Sequence, residues 1–213
     1  MRDSSLPMGR FSNLLFNQDC PKPAYDRVIQ RYDGCVVAPT LGSILPNWLL
    51  IVPEKPFLNF RDWENVSGLS ADATVRKFLR SREVPMSSAI WFEHGPSKVG
   101  TSVGCGVDHA HLHVLIDAPF EFDDFALTVA EENFGNFRPV HSGKALQSVQ
   151  KDASYMLIAS GERAVISEGV EHLGSQFLRR MVARLIGQPD AWNYRLHPCL
   201  NNVDKTLQAF APV

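Results

Sequence analysis

Between Asp108 and Asp117 the chain reads His109-Ala110-His111-Leu112-His113-Val114-Leu115-Ile116. Successive side chains of an extended backbone point to opposite sides. The three imidazoles therefore share one face, and Ala110, Leu112 and Val114 share the other. This pattern calls for a strand whose apolar face enters the core while its imidazoles line a surface or a cleft.

The rest of the chain alternates strand and helix signals. Arg27 to Arg31 and Cys35 to Ala38 flank Tyr32-Asp33-Gly34, a turn of the Asp-Gly kind that closes hairpins. Trp48 to Val52 is an apolar run entered after Pro46 and stopped by Pro53, the signature of a buried strand. Ala71, Val75, Phe78 and Leu79 recur at helical spacing behind Ser70, a ready N-cap, and Ser87 to Phe92 gives another strand. Beyond Pro119, Asp123 to Asn133 reads as a helix and Phe134 to Lys144 as a loop. Ser154 to Ala159 and Arg163 to Ile166 read as a hairpin across Ser160-Gly161-Glu162. In Ser175 to Ile186, Phe177, Met181 and Leu185 form a helical stripe that stops at Gly187 and Pro189. Arg179, Arg180 and Arg184 fall on the polar side of that stripe, where a solvated face is expected, and Trp192, Tyr194 and Arg195 read as anchors of the tail.

Three readings of the histidine face stay open on the residues alone. It is a solvated polar face, a metal site built from imidazoles two residues apart, or a nucleophilic centre acting at phosphorus. The third rests on imidazole chemistry. A neutral ring attacks phosphorus readily and departs easily once phosphorylated, which divides one hard displacement into two easier ones. His141, His172 and His197 are isolated and read as surface or packing residues.

Charge narrows the partners. The formal net charge is −2 with no Lys/Arg block, which argues against the backbone binding of nucleic acid that a basic face gives. Trp48 to Val52 is far shorter than the roughly 20 residues of a membrane span. Met1 to Phe16 lacks the continuous apolar run of a signal peptide, so a cytoplasmic location is expected. Cys20, Cys35, Cys105 and Cys199 form no C-x-x-C pair and are expected to be free thiols. At 213 residues, one domain with a large extension and two small domains both fit.

The run His-apolar-His-apolar-His-apolar-apolar after a Gly-rich loop resembles the signature of the histidine-triad superfamily. Ile44 to Pro53 resembles that family's strand leading into a proline, and Phe92-Glu93-His94-Gly95 resembles its polar-then-Gly strand end. The resemblance covers residues 11–120 and implies an α+β fold: a half-barrel of about five mostly antiparallel strands with helices. Residues 121–213 form an α/β extension expected to pack on it and narrow its cleft, and Ser175 to Arg180 resembles the tail of larger members.

By that resemblance the middle histidine, His111, is the nucleophile, with His109 and His113 supporting it and holding phosphate. A histidine in the third place favours water as acceptor, although nucleotidyl transfer stays open. The expected substrate is a small nucleotide-like phosphoester, phosphoramidate or dinucleoside polyphosphate, with no metal and no cofactor; pairing of two copies into a homodimer is left open. The family commonly carries Ser or Thr five residues before the middle histidine, where this chain has Gly106. Phosphate binding is then expected from Glu93, His94, Lys98, Thr101 and Ser102 and from the backbone at Gly104 and Gly106. A binding module that keeps the pocket without turnover, and a metal-dependent hydrolase, are the alternatives.

Overall fold

Asp33 and Gly34 both take left-handed backbone, with φ of 51° and 71°, and close the hairpin between β1 (Gln30–Tyr32) and β2 (Cys35–Pro39). A two-residue turn of this hand matches the twist of the flanking strands, and Asp-Gly tolerates it. The structure, a computed structural model, describes residues 10–16, 21–101, 103, 107–133 and 137–211. Further strands are β3 (Trp48–Pro53), β4 (Ala89–Gly95), β5 (Leu112–Ile116), β6 (Arg138–His141), β7 (Tyr155–Ser160) and β8 (Arg163–Glu168). They form one eight-stranded sheet in the order β1-β2-β3-β5-β4-β7-β8-β6, with antiparallel pairing throughout.

The fold is α+β, with an open antiparallel sheet. A separate five-stranded unit is not what forms. The edge of β4 away from β5 is taken by β7, in a register running from Trp91 opposite Ala159 to Gly95 opposite Tyr155. Strands from both sides of residue 120 thus share one ladder. Arg138–His141, expected as loop, pairs with β8 at the sheet edge, where Pro139 costs no central hydrogen bond.

Alternation along the strands gives the sheet two apolar faces. Leu49, Ile51, Trp91, Leu112, Val114, Leu157 and Ile166 face one side, covered by α2 (Phe60–Ser67) and α3 (Ala71–Ser81). Ser70 caps α3 by accepting from the Ala73 amide, and Asn59 caps α2 by accepting from Asp62 at 2.9 Å. On the other face Phe92, Leu115, Met156 and Ile158 pack under α4 (Phe122–Glu132) and α5 (Phe177–Leu185). At the far end of that same face Val36, Ala38, Leu50 and Val52 lie under α1 (Ser12–Leu15) with Phe11. α6 (Leu200–Ala209) ends on the first core, where Phe210 meets Phe78. No helix among the described residues is long and apolar enough to cross a membrane.

Between α1 and α5 that second face carries a gap. The histidines lie in it.

Candidate active site

Regular pairing of β5 begins at Leu112, three residues later than the strand His109 to Ile116 that the alternation predicts; the Ala110 amide instead bonds the Phe57 carbonyl at 2.7 Å. The alternation nevertheless persists: Ala110, Leu112 and Val114 are buried in the core under α2 and α3, and the imidazoles take the opposite face. The rings are not equivalent. His113, opposite Phe92 on β4 and Leu50 on β3, is only 5% exposed. Trp48 Nε1–H donates to its Nδ1 at 3.0 Å, and the Phe92 ring stacks on it at 4.9 Å. The donor from Trp48 assigns the ring proton to Nε2. His109 turns its Nε2 to the Pro53 carbonyl at 2.8 Å.

His111 is held differently. Its Nδ1 lies 2.8 Å from the His109 carbonyl, which can only accept, so Nδ1 carries the proton and Nε2 carries the lone pair. Phe11 sets its edge 5.4 Å from this ring, and His113 lies 5.1 Å away. Burial pushes His111 down to about 4, with Arg10 and Arg179 adding to the shift and the His109 carbonyl opposing it. Burial also holds His113 well below the ordinary histidine range and lowers His109. At neutral pH the three rings are therefore neutral bases.

Two arms of one cleft meet at Val107, His111, His113 and Arg179. The first runs past His94 and Pro96 to Gln176, Phe177 and Leu178 at the start of α5. The second runs past Arg10, Phe11, Thr40 and Tyr194.

Of the residues expected to hold phosphate, His94 lines the first arm, and burial pushes it down to about 4. Lys98 is exposed and Thr101 half-buried, and neither lines the cleft. The physical reason is that the chain leaving β4 is tied elsewhere. The Pro96 carbonyl accepts from Asn59 Nδ2 at 2.8 Å and the Ser97 amide donates to Ser154 Oγ at 3.0 Å. Ser102, Gly104 and Gly106 lie outside the described residues, as do Cys20 and Cys105.

Glu93 reaches the first arm, but its carboxyl group is used structurally. The Phe60 amide donates to Oε1 at 2.9 Å, and the Tyr155 hydroxyl donates to Oε2. Burial raises Glu93 to about 8, against the opposing pull of Tyr155, Phe60 and Arg61. Replacing it with Leu leaves an amide and a hydroxyl buried without an acceptor, at about 1–3 kcal/mol each. Glu93→Leu is expected to lower the thermal midpoint by roughly 5–15 °C, and Glu93→Gln by less than half as much. Equal melting of all three proteins would show that the carboxyl group carries no structural load.

Arg179 is the residue whose setting the sequence pattern misjudged. It is 2% exposed, with its guanidinium 4.5 Å over Trp48. Its Nη2 donates to the Gly42 carbonyl and its Nε to the Trp192 carbonyl at 3.3 Å. The tail closes over the helix here, and Gly42 permits it: a Cβ there would stand 2.4 Å from Tyr194 Cβ. Arg184, on the same nominally polar side, is exposed and pairs with Glu132.

Among the described residues no three His, Cys, Asp or Glu side chains are grouped so as to hold a metal ion. The chain matches no protein-family model, and no curated protein matches it significantly.

Proposed function

We propose that the chain acts at phosphorus as a histidine-triad enzyme, on a nucleotide-like phosphoester, phosphoramidate or dinucleoside polyphosphate. One observation carries the reading. A half-buried, neutral His111 fixes its Nδ1–H on the His109 carbonyl and so keeps the Nε2 lone pair for a cleft that the other two imidazoles help to form. Strands β1 to β5 would be the counterpart of the family's half-barrel, extended here by β7, β8 and β6.

The chemistry balances without a cofactor. The Nε2 lone pair bonds to phosphorus while the bond to the leaving group breaks, and the leaving group departs with that electron pair and takes a proton from solvent. The ring is then a cation joined to phosphorus, still donating Nδ1–H to the His109 carbonyl. A water oxygen next bonds to phosphorus, the phosphorus–nitrogen pair returns to Nε2, and the water gives its proton to solvent. His113, in the third place of the triad, favours this hydrolytic second step over transfer to another acceptor.

The test is a panel of nucleoside phosphoramidates, dinucleoside polyphosphates and sugar nucleotides followed by phosphorus NMR in excess chelator. Turnover of at least one is expected to survive. Activity that disappears with chelator and returns with zinc overturns the reading.

The pH profile adds a second check. Protonating His111 removes its lone pair, and its folded-state value lies near 4 because burial disfavours the imidazolium. kcat/KM is thus expected to be level above about pH 5 and to fall as pH drops through about 4. An acid limb near the ordinary histidine value of about 6.5 would mean that the attacking ring is not His111.

A further inference from the structure

The first arm of the cleft holds polar atoms that the triad chemistry does not use. On β4 the alternation that sets Phe92 opposite His113 puts His94, two residues further along, on the same face, where it lines this arm. His94 is half-buried as a residue, yet both of its ring nitrogens are buried and neither closes a hydrogen bond. The Val170 carbonyl nearby can take at most the one N–H of a neutral ring, so the other nitrogen is a lone pair without a donor. Burial pushes the ring down to about 4, which keeps that lone pair open at neutral pH.

Gln176 brings a second acceptor to the arm, from beyond residue 120. It stands before α5 with left-handed backbone at φ 58°, is 6% exposed, and its buried Oε1 accepts no hydrogen bond. Buried polar atoms without partners cost stability and are few in folded chains. Two acceptors of this kind in one arm call for a ligand that donates. A phosphate oxygen, itself an acceptor, does not suit them. An ammonium does not suit them either: the carboxyl group among the lining residues, that of Glu93, already accepts from Phe60 and Tyr155, so the charge would be buried without a counter-ion. A neutral amino group on a flat heterocycle meets both demands. It has two N–H donors for two acceptors, and its ring offers an apolar face to Phe92, Pro96, Phe177 and Leu178.

We propose that the first arm is the base pocket of the cleft, in which Gln176 Oε1 and a ring nitrogen of His94 accept from the exocyclic amino group of a nucleobase. This inference rests on the nucleotide reading of the cleft and names the bases it takes: adenine, guanine or cytosine, in preference to a base without an amino group. It also gives the segment after residue 120 a direct part in the choice of substrate.

Calorimetry on the intact chain tests it with three matched pairs of 5′-monophosphates: those of adenosine, guanosine and cytidine, against those of purine riboside, inosine and uridine, which lack the amino group. Wild type is expected to bind at least one amino-bearing member about tenfold or more tighter than its counterpart. Gln176→Met keeps the length of the side chain without the acceptor. It should bring that pair within about threefold by weakening the amino-bearing member alone. His94→Phe keeps a ring without the lone pair and should narrow the same pair. Ligand-free Gln176→Met should melt no lower than wild type, since it removes an acceptor that had no donor. A thermal midpoint lowered by more than a few degrees, or failure to fold, would show a carboxamide tied into the fold and overturns the inference. Retention of the wild-type preference by Gln176→Met or by a folded His94→Phe overturns it too, as does a wild type that binds both members of every pair equally. A wild type that binds none of the six overturns the nucleotide reading of the cleft instead, and this inference with it.

Discussion

His111→Asn is expected to bind nucleotide and turn over almost none of it, the largest loss of any single substitution in the chain. Removing a positioned proton-transfer or hydrogen-bonding group costs about 10²- to 10⁴-fold, whereas removing the atom that bonds to phosphorus closes the two-step route altogether. The neighbours should behave differently for reasons the geometry supplies. His111 is oriented by the backbone carbonyl of His109, not by its ring, so His109→Asn keeps that contact and retains measurable turnover. His113→Asn removes the acceptor of the Trp48 indole and the ring stacked on Phe92, and it is expected to lose stability as well as rate. Neutral quenching of the wild type followed by intact-mass analysis should find an adduct on the peptide containing His111. Wild-type turnover in His111→Asn, on a substrate the protein demonstrably processes, would disprove the nucleophile assignment.

Truncation after Pro119 is expected to give no soluble folded product. The cut takes β7 from the edge of β4 and leaves a row of backbone donors and acceptors unpaired there. It also strips α4 and α5 from Phe92, Ile90 and Leu115, exposing half of the second core. Expression of residues 10–119, followed by size-exclusion chromatography and circular dichroism, checks this. A monomeric fragment with native strand content and unchanged kinetics would show that the extension is dispensable.

Local signals made much of the fold legible in the sequence. The Asp33-Gly34 hairpin, the Ser70 cap of α3, the apolar run of β3 and the stripe of α5 are decided by residues adjacent in the chain, and the structure has all four. α2 escaped because only Phe60 and Trp63 are its buried apolar residues, although Asn59 and Asp62 mark its start. α6 carries Val203 and Thr206 toward the interior, with Phe210 just past its end, so a threonine sits in the middle of the apolar stripe; that hydroxyl accepts from the Asn47 amide at 2.9 Å. β6 was hidden by Pro139, which is tolerated only because the strand is an edge.

The histidine face was readable, since alternation needs no tertiary information. Arg179 was not. On α5 it occupies the side opposite the apolar stripe, and what buries it is the segment carrying Trp192 and Tyr194, which returns across the helix to meet Gly42. No periodicity records a return of the chain.

Trp48 gives the cleft a property of another kind. Its indole N–H is bound to His113, its face supports Arg179 and its edge meets Phe92, so one chromophore touches a triad imidazole and the cation beside it. Indole emission responds to nearby charge and to loss of a hydrogen bond at the ring nitrogen. Filling of the cleft or protonation of its bases is therefore expected to change the emission of Trp48, read against the three other tryptophans of the chain, with no label attached.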